Sequence, residues 1–120
     1  MYPLAEGMSK FWDNIPENAF VVGGIMRFSS EKRPLLFIET ACEVIKKHPL
    51  AHFIMLGNGP LFDQSKRLAR KLEIEANIHF IGRSHQVYLW LQKMDLVLLT
   101  SEFFLFEITN EAPFFMAFFA

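Results

Sequence analysis

Two cations five positions apart, Arg27 and Lys32, stand between a pair of glycines and a proline in the stretch Phe20 to Pro34, FVVGGIMRFSSEKRP. Arginine grips an oxyanion with a planar fork and lysine offers a compact charge, so the two in one short loop suit phosphate. The flanking residues favour the same chemistry. Phe20, Val21, Val22 and Ile25 form an apolar run without polar alternation, as expected of a strand covered on both faces. Gly23 and Gly24 let a second backbone or a ligand come close. Pro34 suits the first turn of a helix, whose opened amides carry partial positive charge. Strand, loop and helix start in this order make an anion site that needs no further cofactor. The alternative is that both cations are ordinary solvated loop residues, as most charged side chains are.

The elements that must position this loop follow from the periodicity. Leu35, Ile38, Ala41, Cys42 and Ile45 recur at helical spacing; Lys46, Lys47 and His48 close that helix where its dipole favours cations, and Pro49 ends it. Phe53 to Leu56 predicts a second strand. Gly57, Asn58, Gly59 and Pro60 then predict a tight turn into a helix with Leu61, Ser65, Leu68 and Leu72 as its buried stripe. Lys66, Arg67, Arg70 and Lys71 lie across from that stripe and read as a solvated face rather than a membrane or partner patch. Ile78 to Ile81 predicts a third strand, Gly82 to His85 a turn, Val87, Trp90, Leu91 and Met94 the apolar side of a third helix, and Leu96 to Leu99 a fourth strand.

Largely apolar strands alternating with helices through short loops predict an α/β fold, a Rossmann-like doubly wound parallel sheet with right-handed crossovers. In the order 3-2-1-4 the winding reverses between strands one and four, which sets Arg27 and Lys32 across a crevice from Thr100, Ser101 and Glu102.

The chain has 120 residues, enough for one core, and at 52% hydrophobic with net charge -1 it reads as globular with no bulk attraction to nucleic acid. The single cysteine, Cys42, excludes an internal disulfide and reads as a small core residue in a reducing compartment. The first residues lack the marks of a signal peptide and no run is long enough to span a membrane, so a cytoplasmic location is expected. No metal site is expected, because His48, His52, His79 and His85 lack zinc spacing and one or two of them should point into different layers. Residues 1–18 read as a lead-in with one short helical turn near Glu6 to Trp12, and residues 19–102 as the domain. Residues 103–120 form a divergent tail that holds seven of the 14 phenylalanines and no lysine or arginine, and self-association through it is expected if it stays exposed.

Three segments, taken in order, resemble the C-terminal, nucleotide-sugar-binding domain of group 1 retaining glycosyltransferases of the GT-B fold. GGIMRFSSEKRP is similar to the family's first-strand motif, HPLAHFIMLGNGP to its second strand and glycine turn, and IHFIGRSHQVYLWLQKMDLVLLTSE to its third strand, helix and fourth strand. The resemblance covers about Phe20 to Glu102 and implies one incomplete GT-B half. It implies that Arg27 and Lys32 are catalytic, neutralising the leaving diphosphate of a nucleoside diphosphate sugar, with the uridine form expected and no other cofactor. It also implies donor contacts at Gly24, Gly57, Asn58, Gly59, Ser101 and Glu102, with the base against Gly82 and Arg83. Partners so implied are the sugar donor and a separate N-terminal acceptor domain that this chain lacks, with peripheral membrane association open to the parent enzyme. The family continues into a segment with two glutamates eight positions apart; here Phe104 takes the first place, and Glu111 sits one position early for the second. That departure implies a fragment altered near its end.

Two other readings remain open on sequence. A dinucleotide-dependent oxidoreductase shares the layout, but the first strand runs into GGIMRF rather than G-x-G-x-x-G. A remnant of the same fold that only binds, without catalysis, is the stronger rival.

Overall fold

The computed structural model describes residues 6–101 and 115–118. The chain runs α1 (Glu6–Asp13), β1 (Phe20–Ile25), a 3-10 turn (Ser30–Lys32), α2 (Pro34–Lys47), β2 (Ala51–Leu56), α3 (Phe62–Lys71), β3 (Ile78–Gly82), α4 (Val87–Leu91), β4 (Leu96–Leu99) and β5 (Phe115–Phe118). The strands pair in the order β3-β2-β1-β4-β5, every neighbour parallel. The expected 3-2-1-4 core is therefore present, and residues 115–118, inside the segment set apart as a tail, extend it by one strand.

Parallel strands are covered on both faces, and the alternation of side chains sorts each strand into two cores. Val22, Ala51, Phe53, Met55, Ile78 and Leu98 meet α2 and α3 through Phe37, Ile38, Ala41, Cys42 and Ala69. Val21, Ile54, Leu56 and Val97 point the other way, onto Met8 of α1, Leu89 and Trp90 of α4, and Met94. The two adjacent glycines of β1 serve these two layers in turn. A Cβ on Gly23 would fall 2.0 Å from the Met94 sulfur and one on Gly24 2.5 Å from the Phe37 ring, so each glycine admits a large side chain from its own face.

The helices differ from their expected stripes in ways that have physical causes. In α2 the wholly buried side chains are Pro34, Phe37, Ile38 and Ala41, while Leu35 and Ile45 are half-buried at the stripe's margin. In α3 the small residues Ser65 and Ala69 are the buried ones, which lets the helix lie close to α2, and Leu61, Leu68 and Leu72 flank them half-buried. Ser65 satisfies its hydroxyl by donating to the Leu61 carbonyl at 2.6 Å. The cations of α3 are exposed, with Lys66 over the Phe62 ring and Arg70 3.6 Å from Glu75. The lead-in is more than a turn: α1 runs for eight residues and buries Met8, with Phe11 and Trp12 packed at its edge.

Candidate functional site

Loops leaving the carboxyl ends of β1, β2 and β3 wrap one cleft of about 490 Å³, walled by Met26, Arg27, Gly57, Asn58, Gly59 and Arg83. A smaller hollow of about 260 Å³ continues it past Arg27 and Arg83 to Ser84 and Val87. The loops are joined through backbone. Met26 N–H donates to the Leu56 carbonyl at 3.0 Å, Phe28 N–H to Asn58 at 3.0 Å, Leu61 N–H to Phe28 at 2.8 Å and Gly57 N–H to Gly82 at 2.8 Å. A Cβ on Gly57 would stand 1.8 Å from the Met26 carbonyl oxygen, and the φ of 125° there suits glycine alone. One on Gly59 would stand 2.7 Å from the Phe28 oxygen. Asn58 folds into its own turn, its Oδ1 accepting from Gly59 N–H at 2.7 Å. Phe28 anchors the whole arrangement: it is wholly buried, with its ring edge-on to Phe62 at 5.0 Å and 6.4 Å from Phe80.

Arg27 and Arg83 are exposed and both line this cleft, and among the described residues neither forms an ion pair. Lys32 stands outside the lining, half-buried at the end of the 3-10 turn, with its carbonyl held by the Thr100 hydroxyl at 2.9 Å. Beside it α2 opens at Arg33 and Pro34 with no acidic residue in its first turn, so its N-terminal amides add to the positive field. Glu31 is the one local opposing charge among the described residues of this loop. Its own backbone N–H and the Ser29 hydroxyl hold its carboxyl below the ordinary range, and Lys32 and Arg27 deepen that slightly.

Of the residues singled out from sequence, Arg27, Gly57, Asn58, Gly59 and Arg83 converge on the cleft, and Gly82 precedes Arg83 with its carbonyl accepting from Gly57 N–H. Gly24 does not, for it is buried against Phe37 and serves packing. Ser101 is half-buried just past β4, while Glu102 and Glu111 lie outside the described residues. Sequence reasoning passed over Phe28, whose signal was a lone large apolar residue in the polar run RFSSEK. It also passed over Arg33, which caps α2 in the left-handed region at φ 51°.

Two of the four histidines, His52 and His79, share a face: His79 pairs in register with Ile54, two residues along β2 from His52. His52 Nδ1 lies 3.0 Å from His79 Nε2. The ring centres are 5.3 Å apart and the planes within 7°, so the N···N line runs nearly through both centres and the rings meet edge to edge. That is an N–H···N hydrogen bond between two neutral imidazoles. Burial pushes the His79 pKa from 6.5 to about 4, with the His52 charge a smaller cause, and burial lowers His52 as well. Among the described residues no three histidine, cysteine or carboxylate side chains gather as a metal cluster would.

The model of the family described as glycosyl transferases group 1 matches residues 9–111. The chain belongs to the group 1 glycosyltransferases. Among curated relatives it is 31% identical over 105 residues to the Vi polysaccharide biosynthesis protein VipC/TviE of Salmonella typhi, covering 84% of this chain and 18% of that protein. Among solved structures it is similar to TarM of S. aureus, crystallised with UDP, with a TM-score of 0.67 and 29% identity over 72% of this chain and 18% of TarM. It is also similar to the C-terminal domain of the group 1 glycosyltransferase LpcC of Francisella tularensis, with a TM-score of 0.60 and 25% identity over 83% of this chain and 55% of that one. The chain thus spans under a fifth of the length of VipC/TviE. Its α/β parallel sheet is the fold it shares with these two solved structures.

Proposed function

We propose that this domain binds the donor of a retaining glycosyltransferase of glycan or polysaccharide biosynthesis, a nucleoside diphosphate sugar with uridine as its nucleoside. The observation that carries the reading is the convergence of Arg27 and Arg83 on one cleft at the carboxyl ends of β1 to β3, beside Lys32 and the N-terminus of α2. Ligands of open α/β sheets bind at that end. TarM, a structural neighbour at 29% identity, was crystallised with UDP. In the reaction the bond from the anomeric carbon to the diphosphate breaks as an acceptor hydroxyl oxygen bonds to that carbon, negative charge collects on the departing phosphate, and the hydroxyl proton passes to that phosphate or to water. Arg27 and Lys32 meet that charge with fixed positive groups, which costs no reorganisation when it develops. The walls formed by Gly57 to Gly59 and Gly82 to Ser84 take the nucleoside, and the acceptor binds to a part of the enzyme outside this chain.

Calorimetric titration with UDP, and then with a nicotinamide dinucleotide, tests the assignment. UDP is expected to bind in preference. Arg27→Ala and Lys32→Ala are each expected to weaken it by roughly 1–3 kcal/mol, the scale of one charge-assisted contact. Unchanged affinity in both variants would remove the cations from the site, and preference for the dinucleotide would replace the reading with an oxidoreductase.

A further inference from the structure

Thr100 follows β4 and is 1% exposed, and its hydroxyl points across the winding reversal of the sheet. Oγ1 lies 2.9 Å from the Lys32 carbonyl oxygen and 3.2 Å from that of Arg33. A hydroxyl has one proton to give, so the two carbonyls share it, and both belong to the joint where the 3-10 turn passes into α2. That joint is an unusual piece of backbone. Arg33 adopts φ 51° and ψ 56°, the left-handed region, at the N-cap of a helix that no side chain caps. A side chain there is sterically disfavoured, so the conformation persists only where its surroundings hold it. Within the loop Arg33 N–H donates to Ser30 and Phe37 N–H to Arg33, each at 3.2 Å. Thr100 reaches the same joint from another strand, 67 and 68 residues along the chain.

We propose that Thr100 is a positioning residue for the anion site: its hydroxyl ties the end of β4 to the Lys32–Arg33 joint and so fixes where Lys32 and the first turn of α2 present their charge. The inference rests on the diphosphate reading above and adds to it the group that orients one of its cations. The geometry explains why a hydroxyl is buried at the end of a strand whose other residues are leucine and valine. It also explains how an αL arginine is tolerated where α2 begins. Loss of the hydroxyl leaves two carbonyls without this donor, and the joint is free to relax out of the left-handed region, taking the Lys32 side chain with it.

Thr100→Val keeps the shape and removes the hydroxyl, while Thr100→Ser keeps the hydroxyl. NMR titrations with UDP and with uridine, which lacks the phosphates, are expected to show UDP weakened about tenfold in the valine variant and uridine unchanged, with serine restoring UDP to within about twofold. In a Lys32→Ala background the valine change is expected to cost less than about twofold more, because the cation it orients is gone. Trypsin, which cuts after Lys32, is expected to nick the Lys32–Arg33 bond faster in the valine variant alone, a readout that needs no nucleotide. A purely structural hydroxyl would lower the urea midpoint and leave the UDP affinity of the folded protein untouched, and that result overturns the proposal. So does wild-type binding of UDP with valine and wild type cut equally at Lys32. Failure of the wild type to bind UDP at all is a different outcome, since it overturns the diphosphate reading and this inference falls with it.

Discussion

Acidification tests the paired histidines beneath α1. His79 lies on β3 with Phe11 of α1 edge-on to its ring at 5.2 Å and His52 at 3.0 Å, and burial holds its pKa near 4 rather than 6.5. The native state therefore prefers the neutral ring. Between pH 6.5 and about 4 the unfolded chain binds a proton there that the folded chain does not, so stability is full above 6.5 and is lost as pH falls toward 4. The drop corresponds to at most about 3 kcal/mol, and solvent still reaches part of the ring, so about 1–2 kcal/mol is expected. His52, lowered by its own burial, acts in the same direction. The cations lining the same depression, Lys66 and Arg70, oppose a second positive charge, and Glu75 offsets them in part. Glu31 titrates with the same sign but from 4.5 downward, below the main histidine window. Urea titrations at about pH 7.5 and about pH 5 should differ in midpoint by about 0.5–1 M. His79→Gln keeps a hydrogen-bonding partner for His52 and should flatten most of that difference. An imidazole NMR titration in which His79 protonates near 6.5, or a glutamine variant with the wild-type pH slope, would refute the reasoning.

Three further outcomes follow from packing. Gly57→Ala forces a Cβ to within 1.8 Å of the Met26 carbonyl, so it should cost roughly 2 kcal/mol or more and abolish UDP binding, read by urea unfolding and calorimetry. Phe37→Ala empties a wholly buried ring that lies 5.9 Å from Phe53, and a loss of about 3–5 kcal/mol is expected by the same unfolding assay. Truncation before Phe103 removes β5 and leaves β4 as an open edge, so the shortened chain should unfold at lower urea and associate more readily by light scattering; an equal midpoint and a monomer would show that the strand adds nothing.

The strands were legible because each is an apolar run bounded by glycine, proline or charge, and four such runs separated by helix-length stretches admit few arrangements besides a wound parallel sheet. The helix stripes were less legible. Phe37, Ala69 and Leu89 are buried yet were missed, because a helix of an α/β layer packs on the sheet and on its neighbour helix at once and so buries a broader arc than one stripe. The histidine pair depends on the register of β2 against β3, where a shift of one residue would have sent the two rings to opposite faces. Nothing local to either histidine carries that information.

At the site the residue types were legible and their division of labour was not. The family resemblance implies donor contacts at Gly24, Gly57 and Gly59, yet Gly24 admits the Phe37 ring, and Gly57 and Gly59 admit the backbone of the loop after β1. Those contacts draw the loops after β1 and β2 together around Phe28, and Arg27 reaches the cleft because the chain on both sides of it is held this way. Lys32 lies outside the cleft lining, at a joint secured from the end of β4 by Thr100. The two cations, five positions apart in sequence and alike in charge, are thus positioned by different strands: Arg27 through β2 and its glycine turn, Lys32 through the end of β4. Under the diphosphate reading proposed above that arrangement is useful, since a shift in either loop moves one cation and leaves the other in place.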